Sequence, residues 1–66
     1  MNRAKRDMMR RVQEAAESFR GIVWALDQFY FTPESLEVAM SEHCAILRDL
    51  TSHELDLYVE VIETEV

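Results

Sequence analysis

Two adjacent side chains near the middle of the chain, His43 and Cys44, are of the types that carry nucleophilic or metal chemistry. An imidazole activates a thiol only when the two groups lie within hydrogen-bond reach. Consecutive residues of a helix point about 100° apart, and no acidic residue is evidently placed to orient the imidazole. The only other soft ligand is His53, and these three residues lack the paired spacing of a structural zinc site. We therefore expect no catalysis, no cofactor and no metal.

His43 falls near the centre of the apolar face of a predicted helix. For such a residue we expect a buried, neutral side chain with one hydrogen-bond partner, and the alternative role is that of a pH switch or metal ligand.

Trp24 is the side chain best suited to bind another protein. On a helical projection it lies roughly 160° from the middle of the apolar face of its helix. Tryptophan and arginine are enriched at the centres of protein interfaces. The pattern predicts a partner-binding surface made of Trp24, with Arg20, Asp27 and Gln28 around it. The alternative is that Trp24 packs beneath the third helix of its own chain or against a second copy.

The charge of the chain is unevenly distributed along its length. The net charge is −6, yet residues 1–20 hold six Lys and Arg against three acids, while residues 21–66 hold one Arg against ten acids. Five cations near the start are candidate phosphate contacts and would attract nucleic acid without sequence preference: Arg3, Lys5, Arg6, Arg10 and Arg11. The alternative for these five is a solvated helix end.

The acidic remainder of the chain bears on two further interpretations. A helix-turn-helix role for the last two helices is rejected, because the final helix carries acids and no Lys or Arg and would be repelled by DNA. A rigid acidic surface could also imitate a phosphate backbone, although ordinary solubilising charge explains it as well.

Three helices account for the positions of these residues. Apolar residues recur at intervals of three and four from about residue 4 to 30, which predicts a long first helix with a wide apolar face. Gly21 interrupts it and would mark a kink or a close helix contact. Thr32 and Pro33 suit the cap and first position of a second helix, over about 33–50. Thr51 and Glu54 form a capping-box pattern that opens a third, over about 52–64.

The third helix has a pattern that also fits a strand. Residues 54–62 also alternate as a strand would, but the capping box and the lack of a partner strand favour helix. We therefore predict one all-α domain over residues 1–66: a three-helix, hairpin-like bundle in which helices 2 and 3 fold back along the long helix 1.

A chain of 66 residues with a single cysteine has a small core and no intramolecular disulfide. Helix 1 is apolar over a wider face than one returning layer covers, and Leu57 and Val61 form a second apolar strip. We therefore expect a homodimer with a larger helical bundle. Its predicted core and dimer residues are Val12, Phe19, Val23, Leu26, Tyr30, Leu57 and Val61.

The functional expectation is a small acidic regulator that docks on a larger protein as an inhibitor, anti-activator or adaptor. The alternatives are a nucleic-acid-associated regulator that uses the basic segment, and a structural subunit of an assembly. The charged start is not followed by the apolar stretch of a signal peptide, and no apolar run approaches membrane-spanning length. These features predict a cytoplasmic protein that does not bind membranes, with Cys44 reduced.

Overall fold

The computed structural model describes residues 2–65, which form helices α1 (Arg3–Asp27), α2 (Pro33–Arg48) and α3 (Ser52–Glu65). No strand occurs within these residues, so the all-α prediction is confirmed. The ambiguous stretch 54–62 is helical, because its capping box is formed: the Thr51 amide donates to the Glu54 carboxylate over 2.9 Å and the Glu54 amide donates to the Thr51 hydroxyl over 3.1 Å.

The starts of the first two helices are also capped by side chains. Asn2 accepts a hydrogen bond from the amide of Lys5 at 2.8 Å. Thr32 and Ser35 cap each other reciprocally, and Pro33 occupies the first turn of α2 as predicted. Each cap satisfies amides that the helix itself leaves unpaired.

Helix α1 ends at Asp27, earlier than the predicted end near Tyr30. Phe29 adopts a left-handed conformation with φ 59°. The amide of Tyr30 then donates to the carbonyl of Ala25 at 2.9 Å, and that of Phe29 donates to the carbonyl of Leu26 at 3.1 Å. This pair of bonds is the Schellman arrangement that terminates helices. The apolar pattern of the sequence continues through this turn, which explains why periodicity alone overextends the helix.

Three side-chain contacts define the path of the chain. Ser18 meets His43 of α2, Arg11 meets Glu54 at the start of α3, and Arg20 meets Glu65 at its end. Helix α3 therefore runs in the same direction as α1. The prediction that α2 and α3 both fold back along α1 is confirmed for their packing against α1 and corrected for the direction of α3, which turns once more and runs forward.

The helices form an elongated body of 41 × 22 × 16 Å, in which α1 packs closely against both partners while α2 and α3 approach each other less. Arg11 and Arg20 lie about 180° apart around α1, yet both reach α3. Helix α3 therefore crosses α1 obliquely.

The core lies at the middle of α1. Its buried apolar residues are Val12, Ala15, Ala16, Leu50 and Tyr58, and Phe19, Leu57 and Val61 pack against them while partly buried. The strip of Leu57 and Val61, predicted to be left over, is thus covered by the chain's own core. Val23, Leu26 and Tyr30 are exposed and do not belong to that core. Their predicted contacts with a second copy of the chain stay a prediction.

Candidate functional site

The end of α1 and the turn that follows carry a group of exposed apolar side chains. We call them the terminal patch: Val23, Trp24, Leu26, Phe29 and Tyr30, of which the least exposed, Leu26, is still 46% accessible. Trp24 and Tyr30 meet edge to face, with ring centroids 5.2 Å apart. This contact holds two amphipathic rings together at the surface, an arrangement that suits aromatic side chains at protein interfaces.

The patch is exposed, and the described part of α3 does not extend over it. The described part of α3 ends at Glu65, beside Arg20 and before Trp24 is reached. Trp24 is 56% exposed, so the alternative in which α3 covers it is excluded for residues 2–65. Val23 and Leu26 continue the apolar face of α1, about 100° and 160° around the helix from Trp24, and both remain exposed.

The predicted rim residues have different environments. Arg20 donates to Glu65 from its Nε at 2.9 Å and also from its Nη2. This pairing raises the pKa of Arg20 and lowers that of Glu65. Asp27 and Gln28 are exposed next to the patch. The four predicted partner-binding residues therefore lie on one surface, but Arg20 is already held by an acid of α3.

The basic segment at the other end of the molecule is only partly available to a ligand. Arg10 pairs with Glu14 one turn away at 3.2 Å. Arg11 donates from its Nε to the Glu54 carboxylate at 2.9 Å and from its Nη2 to the same oxygen. Among the ion pairs of residues 2–65, none involves the exposed Arg3, Lys5 or Arg6.

Glu54 is the most enclosed acid of the chain, with 2% exposure. The hydrogen bond from Arg11 lowers its pKa most, and the hydrogen bond from the Thr51 amide adds to this effect. The pair therefore secures the start of α3 to α1. Arg11, a predicted phosphate contact, is thus paired with Glu54 in the folded chain, and its role toward a phosphate stays a prediction.

His43 is buried and lies in a hydrogen-bonded chain that draws one side chain from each helix. Its Nδ1 is 2.9 Å from the Ser18 hydroxyl and its Nε2 is 3.1 Å from the Tyr58 hydroxyl. The prediction of a buried, hydrogen-bonded His43 is confirmed, with two partners rather than one. Ser18 and Tyr58 were not predicted, because nothing in their spacing shows that they face the same imidazole.

The arrangement around His43 is structural in character. Cys44 is exposed while His43 is buried, so adjacent positions in sequence face different surroundings. Two shallow surface depressions, of about 120 and 260 Å³, are lined by residues other than His43, Ser18 or Tyr58. Both imidazole nitrogens are occupied, which leaves neither free for a substrate or a metal.

Within residues 2–65, no three His, Cys, Asp or Glu side chains are grouped so that they could hold a metal ion. None of the helices formed by these residues combines the length and apolar character needed to cross a membrane. Comparison with protein families, curated proteins and solved structures finds no match to this chain.

Proposed function

We propose that this protein is a small acidic regulator that docks on a larger protein through the terminal patch and acts by binding rather than by catalysis. The observation that carries the proposal is Trp24, which is 56% exposed at the surface of its own chain. An exposed tryptophan beside further apolar side chains is typical of interaction sites, because interface energy concentrates on such anchors. An inhibitor, an anti-activator and an adaptor would all use the surface in this way.

The rest of the terminal patch supports the same proposal. Phe29 is 92% exposed and stands in a left-handed conformation that disfavours bulky residues. Its ring contributes little to the fold of the free chain. Burial against a partner would give Phe29 and Tyr30 a contribution that they lack here.

The two alternative functions are weaker on this geometry. Of the five candidate phosphate contacts, Arg11 is held by Glu54 and Arg10 by Glu14. Only Arg3, Lys5 and Arg6 would be left to contact nucleic acid, a small number for phosphate-driven binding. A role as a structural subunit of an assembly would use the same patch, but binding would then be permanent.

We also propose that the chain forms a homodimer and acts in the cytoplasm. A compact monomer of this mass exposes about 4,400 Å², whereas this chain exposes 5134 Å². The excess of roughly 700 Å² reflects the elongated shape of the chain, which leaves apolar side chains exposed that a second copy would cover. The exposed thiol of Cys44 suits a reducing compartment.

The test compares Trp24→Ala with Val59→Ala, since Val59 is 47% exposed on α3, away from the patch. Tagged wild-type protein is used to capture its partner from its host, and the identified partner is then titrated with each variant. We expect Trp24→Ala to weaken binding by about 2 kcal/mol or more while hardly changing the melting temperature. Val59→Ala should leave both unchanged.

Equal affinity of Trp24→Ala and wild type would contradict the proposal. Salt-dependent binding to nucleic acid that is lost with Arg3→Glu and Arg6→Glu, but kept in Trp24→Ala, would establish the nucleic-acid alternative instead.

A further inference from the structure

A line of exposed residues runs along the side of α1 that neither α2 nor α3 covers. We call this line the seam, and its members are Arg3, Arg6, Arg10, Glu17, Gly21 and Trp24. They recur at intervals of three or four residues once Gln13, which lies between Arg10 and Glu17, is counted. Residues spaced in this way lie above one another on one side of a helix. The seam ends at Trp24, so this residue and the arginines of the basic segment lie on one continuous side of α1.

The two halves of the seam are complementary in charge. The first half contributes three arginines, of which Arg10 also contacts Glu14 of its own chain, while the second contributes Glu17 and the ring of Trp24. Two copies aligned in parallel would place arginine against arginine. When two copies are antiparallel about a two-fold axis, opposing Arg10 to Glu17 also opposes Arg6 to Gly21 and Arg3 to Trp24. A guanidinium over an indole face is a favourable cation–π contact.

Gly21 has no structural role within its own chain. A Cβ built at this position meets no atom within 4 Å. Glycine inside a helix is unfavourable relative to alanine, and α1 continues through Gly21 without a break. A glycine there does allow a second helix, or the stem of an arginine from it, to approach the backbone closely.

We propose that Trp24 of the terminal patch is covered by a second copy of this chain, which packs antiparallel along the seam and lays its Arg3 over the indole and its Arg6 over Gly21. This inference rests on the proposed function, because the larger protein and the second copy would bind the same residues. Dimerisation then masks the docking surface, and dissociation exposes it.

Sedimentation equilibrium of the purified protein tests the arrangement without any larger partner. We expect a monomer–dimer equilibrium that weakens with added salt, since charged groups carry much of the interface. Arg10→Glu and Glu17→Arg should each weaken the dimer about tenfold or more. The double variant should recover most of the loss, because the isologous interface exchanges both charges. Glu60→Arg reverses an exposed acid outside the seam and is the matched control for altered net charge.

Gly21→Leu gives a second test, because the open space around Gly21 lets the monomer fold while the side chain blocks a second helix. Circular dichroism confirms folding, and we expect a monomer. A wild-type monomer at all concentrations overturns the inference. So does a dimer that tolerates the seam variants and is lost with Leu26→Ser, which would place the interface on the apolar side of α1. If Trp24→Ala loses the larger partner in either of these cases, the proposed function still stands.

Discussion

Phe29 is the residue whose conformation is least suited to its type. It occupies the left-handed position of the turn after α1, and its ring is almost fully exposed. A bulky residue in this region crowds its Cβ against the following carbonyl, whereas glycine has no Cβ to crowd. The position therefore carries an apolar ring in spite of a local conformational cost, as expected if the ring contacts a partner.

We predict that Phe29→Gly raises the free energy of unfolding of the free chain by about 0.5–1 kcal/mol. Glycine relieves the left-handed strain, and the greater conformational freedom of glycine in the unfolded chain offsets part of this gain. Chemical denaturation measures the change. Phe29→Ala is the control, because alanine keeps the strain and should leave stability nearly unaltered. Destabilisation by Phe29→Gly would show that the ring does pack against its own chain.

Glu54 links the cap of α3 to Arg11 of α1, and its charge should make the fold sensitive to acid. Arg11 lowers the pKa of Glu54 in the folded state below the ordinary carboxyl pKa of 4.5. The Glu54 carboxylate therefore stabilises the fold above pH 4.5, and this stabilisation is lost as the pH falls below that value. We predict that Glu54→Gln lowers the free energy of unfolding at pH 7 and flattens its decline on acidification.

Unfolding curves between pH 7 and pH 3 test this prediction. Glu65→Gln removes the exposed pair with Arg20 and should have the smaller effect, because solvent weakens that interaction. A Glu54→Gln protein with the acid sensitivity of wild type would exclude Glu54 as its source.

At the scale of elements, the chain of Ser18, His43 and Tyr58 is the contact that joins all three helices. Burial raises the pKa of Tyr58 above its ordinary 10.0. The stability linked to its neutral hydroxyl is therefore present below pH 10 and lost as the pH rises beyond it. The polar contact also orients α2 and α3, which otherwise touch little.

Tyr58→Phe should destabilise the fold by about 1–3 kcal/mol, because it leaves one nitrogen of the buried imidazole without a partner. Its decline in stability above pH 10 should also be smaller than that of wild type. Ser18→Ala tests the other nitrogen, and a double-mutant cycle measures the coupling. Additive effects of the two substitutions would show that the side chains do not act as a chain through His43.

Phe19 and Leu26, both predicted as core and dimer residues from the apolar pattern of α1, differ in their packing. Phe19 packs on the core, while Leu26 is 46% exposed. We predict a loss of about 2–4 kcal/mol for Phe19→Ala and less than about 1 kcal/mol for Leu26→Ala in the monomer. Denaturation at low protein concentration measures both losses. Equal losses would mean that α2 or a second copy covers Leu26.

At the scale of the whole molecule, the elongated shape leaves the small core at the centre and both ends of α1 uncovered. One end is basic and the other is aromatic with acidic neighbours. Association of two copies would therefore contribute to the stability of each.

We predict that the melting temperature of the wild-type protein rises with protein concentration, because dimerisation favours the folded state by mass action. Gly21→Leu should melt at a temperature independent of concentration. Scanning calorimetry over a hundredfold range of concentration checks this. A wild-type melting temperature that does not vary over this range would contradict dimerisation.

The local features of the fold could be predicted from the sequence. Thr32 with Pro33, and Thr51 with Glu54, identify helix starts because capping depends on residues three positions apart. The apolar period identifies α1, and the spacing around His43 predicts that it is buried. The apolar period of α1 places Trp24 opposite the apolar face of that helix, which is why Trp24 could be singled out as a candidate binding residue.

The remaining features depend on contacts between residues far apart in sequence. Arg11 has the same type and spacing as its basic neighbours, yet only the position of α3 pairs it with Glu54. Leu26 belongs to the same apolar pattern as Phe19, and Leu57 and Val61 form a similar strip. Burial of these residues depends on how α2 and α3 pack against α1, which no local pattern specifies. Periodicity specifies which side of a helix is apolar, whereas the tertiary structure decides how much of that side is covered.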